Sequence, residues 1–171
     1  GVIFNNYRDL NFIKDFKDND IRIRIGRYLN VFNSYTFSYY ASFAEMISSS
    51  VENNISNINN NASSLPVEVL YYGRPELMTM RHCPFSSIKK CGLVGCPTCR
   101  FNTGELESMD GDKMKVIRYG SYSKIYPKEA TLANIKSLDN NVSLLFSVMN
   151  DEDILNLDRA RIRDSYAKGV I

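Results

Sequence analysis

The chain has a single histidine, His82, and only four cysteines, and these scarcities narrow its chemistry at once. No H-E-x-x-H or G-x-S-x-G string occurs, so neither a zinc-peptidase helix nor a serine-hydrolase elbow is written in it. Apolar runs are only a few residues long, far short of the ~20 that cross a bilayer, which argues against a membrane span. The opening Gly1-Val2-Ile3-Phe4-Asn5-Asn6 has no basic segment leading into an apolar core, so no secretory signal is visible and a cytoplasmic location is expected. Neither sign of charge dominates: 21 basic and 19 acidic residues give a net +2. No broad basic stripe appears, and Arg22, Arg24, Arg27 and the Lys89-Lys90 pair read as solvated faces.

What the chain does have is concentration. Cys83, Cys91, Cys96 and Cys99 fall in one short stretch, spaced C-x7-C-x4-C-x2-C. Thiolates so close along the backbone can converge on a zinc ion or an iron–sulfur cluster. The last pair is a C-x-x-C whose turn Pro97 stiffens. Disulfides would need an oxidising compartment, and unrelated free thiols are the remaining alternative. There is no second C-x-x-C of the kind a zinc knuckle shows, so the unequal gaps favour a 4Fe-4S cluster, with zinc as the alternative. Cys83, Cys91, Cys96 and Cys99 are its expected ligands.

At 171 residues the chain fits one domain with a core of its own. Short β-type runs alternate with helical patterns. Val2 to Asn5 reads as a strand, and Leu10, Ile13 and Phe16 lie on one face of a helix ending near Lys17. Ile21 to Ile25 alternates as a strand and Leu29 to Phe32 continues extended. Asn33 or Ser34 then caps a helix carrying Phe37, Tyr40 and Phe43 or Ala44. Met46-Ile47 is a short strand, after which Ser49-Ser50-Val51-Glu52 has the form of a capping box. The six asparagines between Asn53 and Asn61 read as a fraying polar connection.

Val67 to Tyr72 is a fourth strand closed by Gly73, and the cysteine segment follows it. A hairpin turning at Asp110-Gly111 comes next. Ala130 to Leu138 reads as a helix and Val142 to Val148 as a strand. A final helix is expected to start at Asn150 and carry Ile154, Leu157, Ile162 and Tyr166, ending at Lys168-Gly169. The expected fold is therefore α/β: parallel strands covered by helices, one β/α domain over 1–171 with a cysteine-loop and hairpin insertion over 79–127. A closed eight-unit barrel takes about 250 residues, so a partial TIM-like barrel is expected, cut from a longer one and completed by the rest of a parent barrel or by a partner subunit.

Four strings, in order and at matching separations, carry a resemblance: Leu29-Asn30-Val31-Phe32-Asn33-Ser34, Ile47-Ser48-Ser49-Ser50-Val51-Glu52, Tyr72-Gly73-Arg74-Pro75-Glu76-Leu77-Met78 and His82-Cys83-Pro84. In these the chain resembles the collagenase-like peptidase family, number 32 among peptidases of unknown catalytic type. The resemblance implies a TIM-like barrel with a cysteine-rich insertion. It also implies either iron–sulfur-dependent hydroxylation of RNA or a quinone precursor, or proteolysis of collagen-like peptides. The family's last cysteine usually follows the hairpin, where this chain has Tyr119-Gly120-Ser121-Tyr122-Ser123.

Outside the cysteines, Arg74 follows the fourth strand at the expected site face, where a guanidinium can hold a carboxylate or phosphate in two parallel hydrogen bonds; a turn-closing arginine is the alternative. Asn33 is either substrate-facing or an N-cap, and Glu52 a capping residue. His82 adjoins Cys83 and reads as a loop residue, a supporting donor or a replacement ligand. The tyrosines read mostly as core and not as a base-stacking platform, and Met78 and Met80 as packing. An iron–sulfur enzyme, a peptidase and a zinc-stabilised interaction module are the three functional expectations.

Overall fold

The computed structural model describes residues 1–92, 99–120 and 122–163. Cys96, Ser121 and the end of the chain, with Tyr166, Lys168 and Gly169, lie outside them. The chain is mixed α/β and divides into two units: Gly1–Gly73 together with the chain from Thr131, and Arg74–Ala130.

The first unit is a sheet whose strands β1 (Val2–Phe4), β2 (Ile23–Ile25), β3 (Met46–Ser48) and β4 (Val67–Gly73) lie side by side in chain order and parallel. The register explains the core. Phe4 pairs with Ile25, Ile25 with Ile47, and Ile47 with Val67, so apolar side chains share one row and one face. That face, with Leu29, Val31, Phe37, Tyr40 and Ile58, forms the buried core. Leu10, Ile13 and Phe16 pack on it at the spacing read from sequence. They come from a 3-10 segment, Tyr7–Phe12, running into α1 (Ile13–Asp18). Helix α2 (Ser34–Ala41) contributes Phe37 and Tyr40. Burial pushes the Tyr40 hydroxyl's pKa up, and the neighbouring phenols of Tyr7 and Tyr39 push it the same way.

Two expectations about the asparagine tract are corrected. Glu52 is not part of a capping box: Asn54 is the N-cap, its side chain accepting from the Asn57 N–H at 2.8 Å. The asparagine-rich stretch is itself helix α3 (Ile55–Ala62). Asparagine is a poor helix former, but Ile58 and Ala62 are buried on one face and Asn59 is held from both ends of its amide. Its Nδ2 donates to the Ser137 carbonyl at 2.7 Å, and its Oδ1 accepts from the Asp139 N–H at 3.1 Å. Tertiary contacts outweigh local propensity.

After the second unit the chain returns as β9 (Thr131–Ala133), antiparallel to the end of β4, with Leu132 opposite Tyr72 and Thr131 opposite Gly73. The expected helix over Ala130 to Leu138 does not form. Asn134 instead accepts from the Lys136 N–H in a side-chain turn. Strand β10 (Val142–Ser147) runs parallel along the whole other edge of β4, as the sequence pattern predicts. Asn150 does cap a helix, but α5 (Asp151–Leu155) stops after five residues. A 3-10 turn, Leu157–Arg159, follows, and Ile162 lies in strand β11 (Arg161–Arg163), parallel to β9. No closed barrel forms among the described residues.

The second unit is a four-stranded antiparallel sheet, not a lone hairpin. It comprises β5 (Met78–Met80), β6 (Thr103–Glu107), β7 (Lys113–Tyr119) and β8 (Tyr122–Pro127) in the order β5-β8-β7-β6. Helix α4 (Phe85–Lys89) packs on it: the Phe85 ring occupies the space where a Cβ on Gly104 would stand.

Two substitutions test this account. Gly73 has φ +141°, and a Cβ there would lie 2.4 Å from the Ser147 carbonyl oxygen. Gly73→Ala should therefore cost about 2–3 kcal/mol of stability, read by denaturant melting. Asn54→Ala should cost about 1 kcal/mol and Glu52→Ala less than about 0.5 kcal/mol, the reverse of what a Ser49–Glu52 capping box would give.

Candidate thiol site and its surroundings

Helix α4 sets the spacing of the first two cysteines. Cys83 lies just before it, its carbonyl accepting from the Ser86 N–H at 3.0 Å and the Ser86 hydroxyl at 2.8 Å. Cys91 follows Lys90, which ends the helix in a left-handed conformation at φ 48°. Five helical residues rise about 8 Å, so the two cysteines sit at opposite ends of a rigid turn. Cys99 lies a few residues before β6. Cys83 and Cys99 are half-buried, Cys91 is exposed, and all three are free thiols. Cys96 lies outside the described residues.

Among the described residues no three histidine, cysteine, aspartate or glutamate side chains gather into a group that could hold a metal. The donor chemistry suits a thiolate-bound metal; the described donors are not gathered. Without a cation nothing draws the thiols together, and a preformed site is the exception in small metal-binding segments.

His82 does find a partner. Its Nε2 lies 3.3 Å from the Ser86 hydroxyl, one helical turn along. Ser86 already gives its proton to the Cys83 carbonyl, so the hydroxyl is not aimed at histidine as at a general base. The pair orders the start of α4, and among the described residues no third group orients it as in a hydrolytic triad.

Arg74 is buried. Its Nε donates to the Lys128 carbonyl at 3.1 Å, joining the first and last segments of the antiparallel unit. Asn33 is an N-cap, its side chain accepting from the Thr36 N–H at 2.9 Å. Both sequence-predicted polar candidates thus hold backbone in place.

Two features escaped the sequence reading. The first is a polar row on the parallel sheet, one position beyond the apolar one: Ser48 is opposite Glu68, and Glu68 opposite Ser143. Ser48 donates to the Glu68 carboxylate at 2.6 Å. Its only sequence signal is that Glu68 and Ser143 each interrupt an apolar strand. The second is aromatic exposure. Tyr40, Tyr72 and Tyr126 are buried as expected, but Tyr7, Tyr28, Tyr35, Tyr39, Tyr119 and Tyr122 are exposed, as is Met78, so the expectation that the tyrosines are mostly core and Met78 packed is corrected. Tyr119 and Tyr122 stack face to face, with centroids 5.4 Å apart and planes at 17°. The Lys89 ammonium lies 4.2 Å from the centre of the exposed Phe101 ring.

Among the described residues no helix is long and apolar enough to cross a membrane. No protein-family model, curated protein or solved structure matches the chain.

If Arg74 serves mainly to tie the unit's ends together, Arg74→Lys should lower its stability by about 1.5–3 kcal/mol, because an ammonium cannot place a donor where Nε stands. Thermal melting of the variant checks this. An unchanged melt with weakened binding of an anionic ligand would instead assign Arg74 to the substrate.

Proposed function

We propose that the protein is a thiolate metalloprotein of the iron–sulfur kind, built as a partial TIM-like barrel with a cysteine-bearing antiparallel insertion, and acting in hydroxylation of RNA or a quinone precursor. The observation that supports the metal reading is the set of free thiols at the two ends of α4 and before β6. Cys83, Cys91 and Cys99, with Cys96, would hold the group. Donors held apart by a helical turn suit a cubane, whose corners are reached from different directions, better than one zinc ion with Zn–S bonds of ~2.3 Å. Such a cluster supplies one-electron chemistry when bound. The hydroxylation reading rests on the sequence resemblance alone.

Between the two substrate classes, surface chemistry favours RNA. Residues 74–130 carry ten lysines and arginines against six aspartates and glutamates, and an excess of cations attracts phosphates. The exposed Tyr119–Tyr122 stack and the Lys89–Phe101 pair are of the kind on which unpaired bases stack.

Anaerobic reconstitution with iron and sulfide should give a brown protein, and Cys83→Ser or Cys99→Ser should abolish the colour and the iron together. A colourless protein with one tightly held zinc would replace iron–sulfur by the zinc module. Peptide cleavage at undiminished rate by the metal-free cysteine variants would restore the peptidase. Binding of a single-stranded RNA should weaken steeply with salt and fall several-fold in Tyr119→Ala, since a stacked base is worth about 1–3 kcal/mol.

A further inference from the structure

Helix α4 covers one face of the antiparallel sheet. A Cβ on Gly104 would meet the Phe85 ring, Gly104 is opposite Val116 and Val116 opposite Ile125, so these three positions share the covered face. Val116 and Ile125 are accordingly buried. Ser123, two residues before Ile125 on β8, stands on the same face and is only 1% exposed. Its hydroxyl has no hydrogen-bond partner among the described residues. By contrast, Thr79 donates to the Glu76 carboxylate, Ser86 to the Cys83 carbonyl, and Ser108 accepts from the Asp112 N–H. A hydroxyl taken out of water without a partner is costly and uncommon, so Ser123 points to something it serves.

The register says what lies within its reach. Ser123 is opposite Met80 on one side and Arg118 on the other, and the Arg118 N–H donates to the Asn102 carbonyl at 2.7 Å. Met80, Ser123, Arg118 and Asn102 thus form one row across the sheet. The cysteine-bearing stretch leaves from one end of that row and returns at the other: Cys83 is three residues beyond Met80, and Cys99 three residues before Asn102. Three residues span at most about 11 Å. Both thiols are therefore tethered to the row that Ser123 occupies, while the Arg118 side chain is turned to the β7–β8 turn, its Nη1 donating to the Gly120 carbonyl at 3.2 Å. A metal-bound thiolate or cluster sulfide has no proton of its own, and a hydroxyl can supply one to share.

We propose that the Ser123 hydroxyl donates a hydrogen bond to a sulfur of the iron–sulfur group held by Cys83 and Cys99, and thereby raises its reduction potential. The inference rests on the iron–sulfur reading of the four cysteines. A hydrogen bond to sulfur stabilises the reduced form, which carries more negative charge, more than the oxidised form.

Anaerobic redox titration of the 171-residue chain, reconstituted with iron and sulfide, tests it. Ser123→Ala should keep the iron and the brown colour, but its reduced form should be about three- to tenfold less populated at a given potential, a fall of up to about 59 mV for one electron. Ser123→Thr, which keeps the hydroxyl on a residue suited to a strand, should stay close to the wild-type potential. The Fe–S stretching bands of the wild-type chain should shift between H2O and D2O, and the shift should be smaller in Ser123→Ala. If Ser123→Ala loads no iron, Ser123→Thr decides: a loaded chain at the wild-type potential supports the hydroxyl's role, and an unloaded one overturns it. A wild-type chain that takes up no iron and sulfide overturns the iron–sulfur reading and this inference with it. Iron-loaded Ser123→Ala at the wild-type potential overturns the inference alone, since solvent then satisfies the hydroxyl. So does a Ser123→Thr potential lowered as far as that of Ser123→Ala, or an undiminished D2O shift in Ser123→Ala.

Discussion

Strand β4 is the constraint on which the parallel unit depends. Its seven residues use both hydrogen-bonding edges along most of their length. β10 lies along one side; β3 occupies the beginning of the other and β9 its end. Both faces are also used: Val67 and Val69 enter the helix-covered core, while Tyr72, also buried, donates its hydroxyl to the Asp153 carbonyl. A buried strand can carry so many neighbours only if every backbone group is paired. Gly73 lets it end against Ser147 without a clash. The shortness of β3 creates the room that β9 fills, and β9 in turn positions β11.

The same strand makes the second unit possible. The chain leaves at Gly73 and re-enters at Thr131, and these residues are opposite one another across the β4–β9 pair. A long excursion closed at its base costs the parallel sheet little beyond one loop closure, which grows slowly with length. Arg74 and Lys128 tie the excursion's own ends together. The unit can therefore carry cysteines, exposed aromatics and excess positive charge without those groups having to satisfy the packing rules of the parallel core.

Strand positions were legible wherever one face is buried, since an apolar alternation or run admits few other readings: Val67 to Tyr72, Val142 to Val148 and the hairpin arms all stand where the pattern puts them. Asn33 as an N-cap was legible as one of two readings because capping is a local interaction. The errors share one cause. Ala130 to Leu138 has apolar spacing compatible with a helix, yet Leu132 is claimed by Tyr72 of a strand some sixty residues earlier. The asparagine tract has poor local propensity, yet Asn59 is fastened by a segment far along the chain. In the candidate site, Arg74 was visible as a residue but not as a backbone tie, since its acceptor is the distant Lys128 carbonyl.

The sequence by itself determined the class of the fold, the apolar faces and the clustering of the four thiols, because each follows from residues within a few positions of one another. Only the tertiary structure decided that the expected helix is β9, that the expected hairpin is part of a four-stranded sheet, and that Tyr119 and Tyr122 stand exposed and stacked. It likewise decided that Cys83 and Cys91 are separated by a helical turn. Each of these depends on which distant segment takes a strand's hydrogen bonds or covers a side chain, and periodicity along the chain carries no record of that choice.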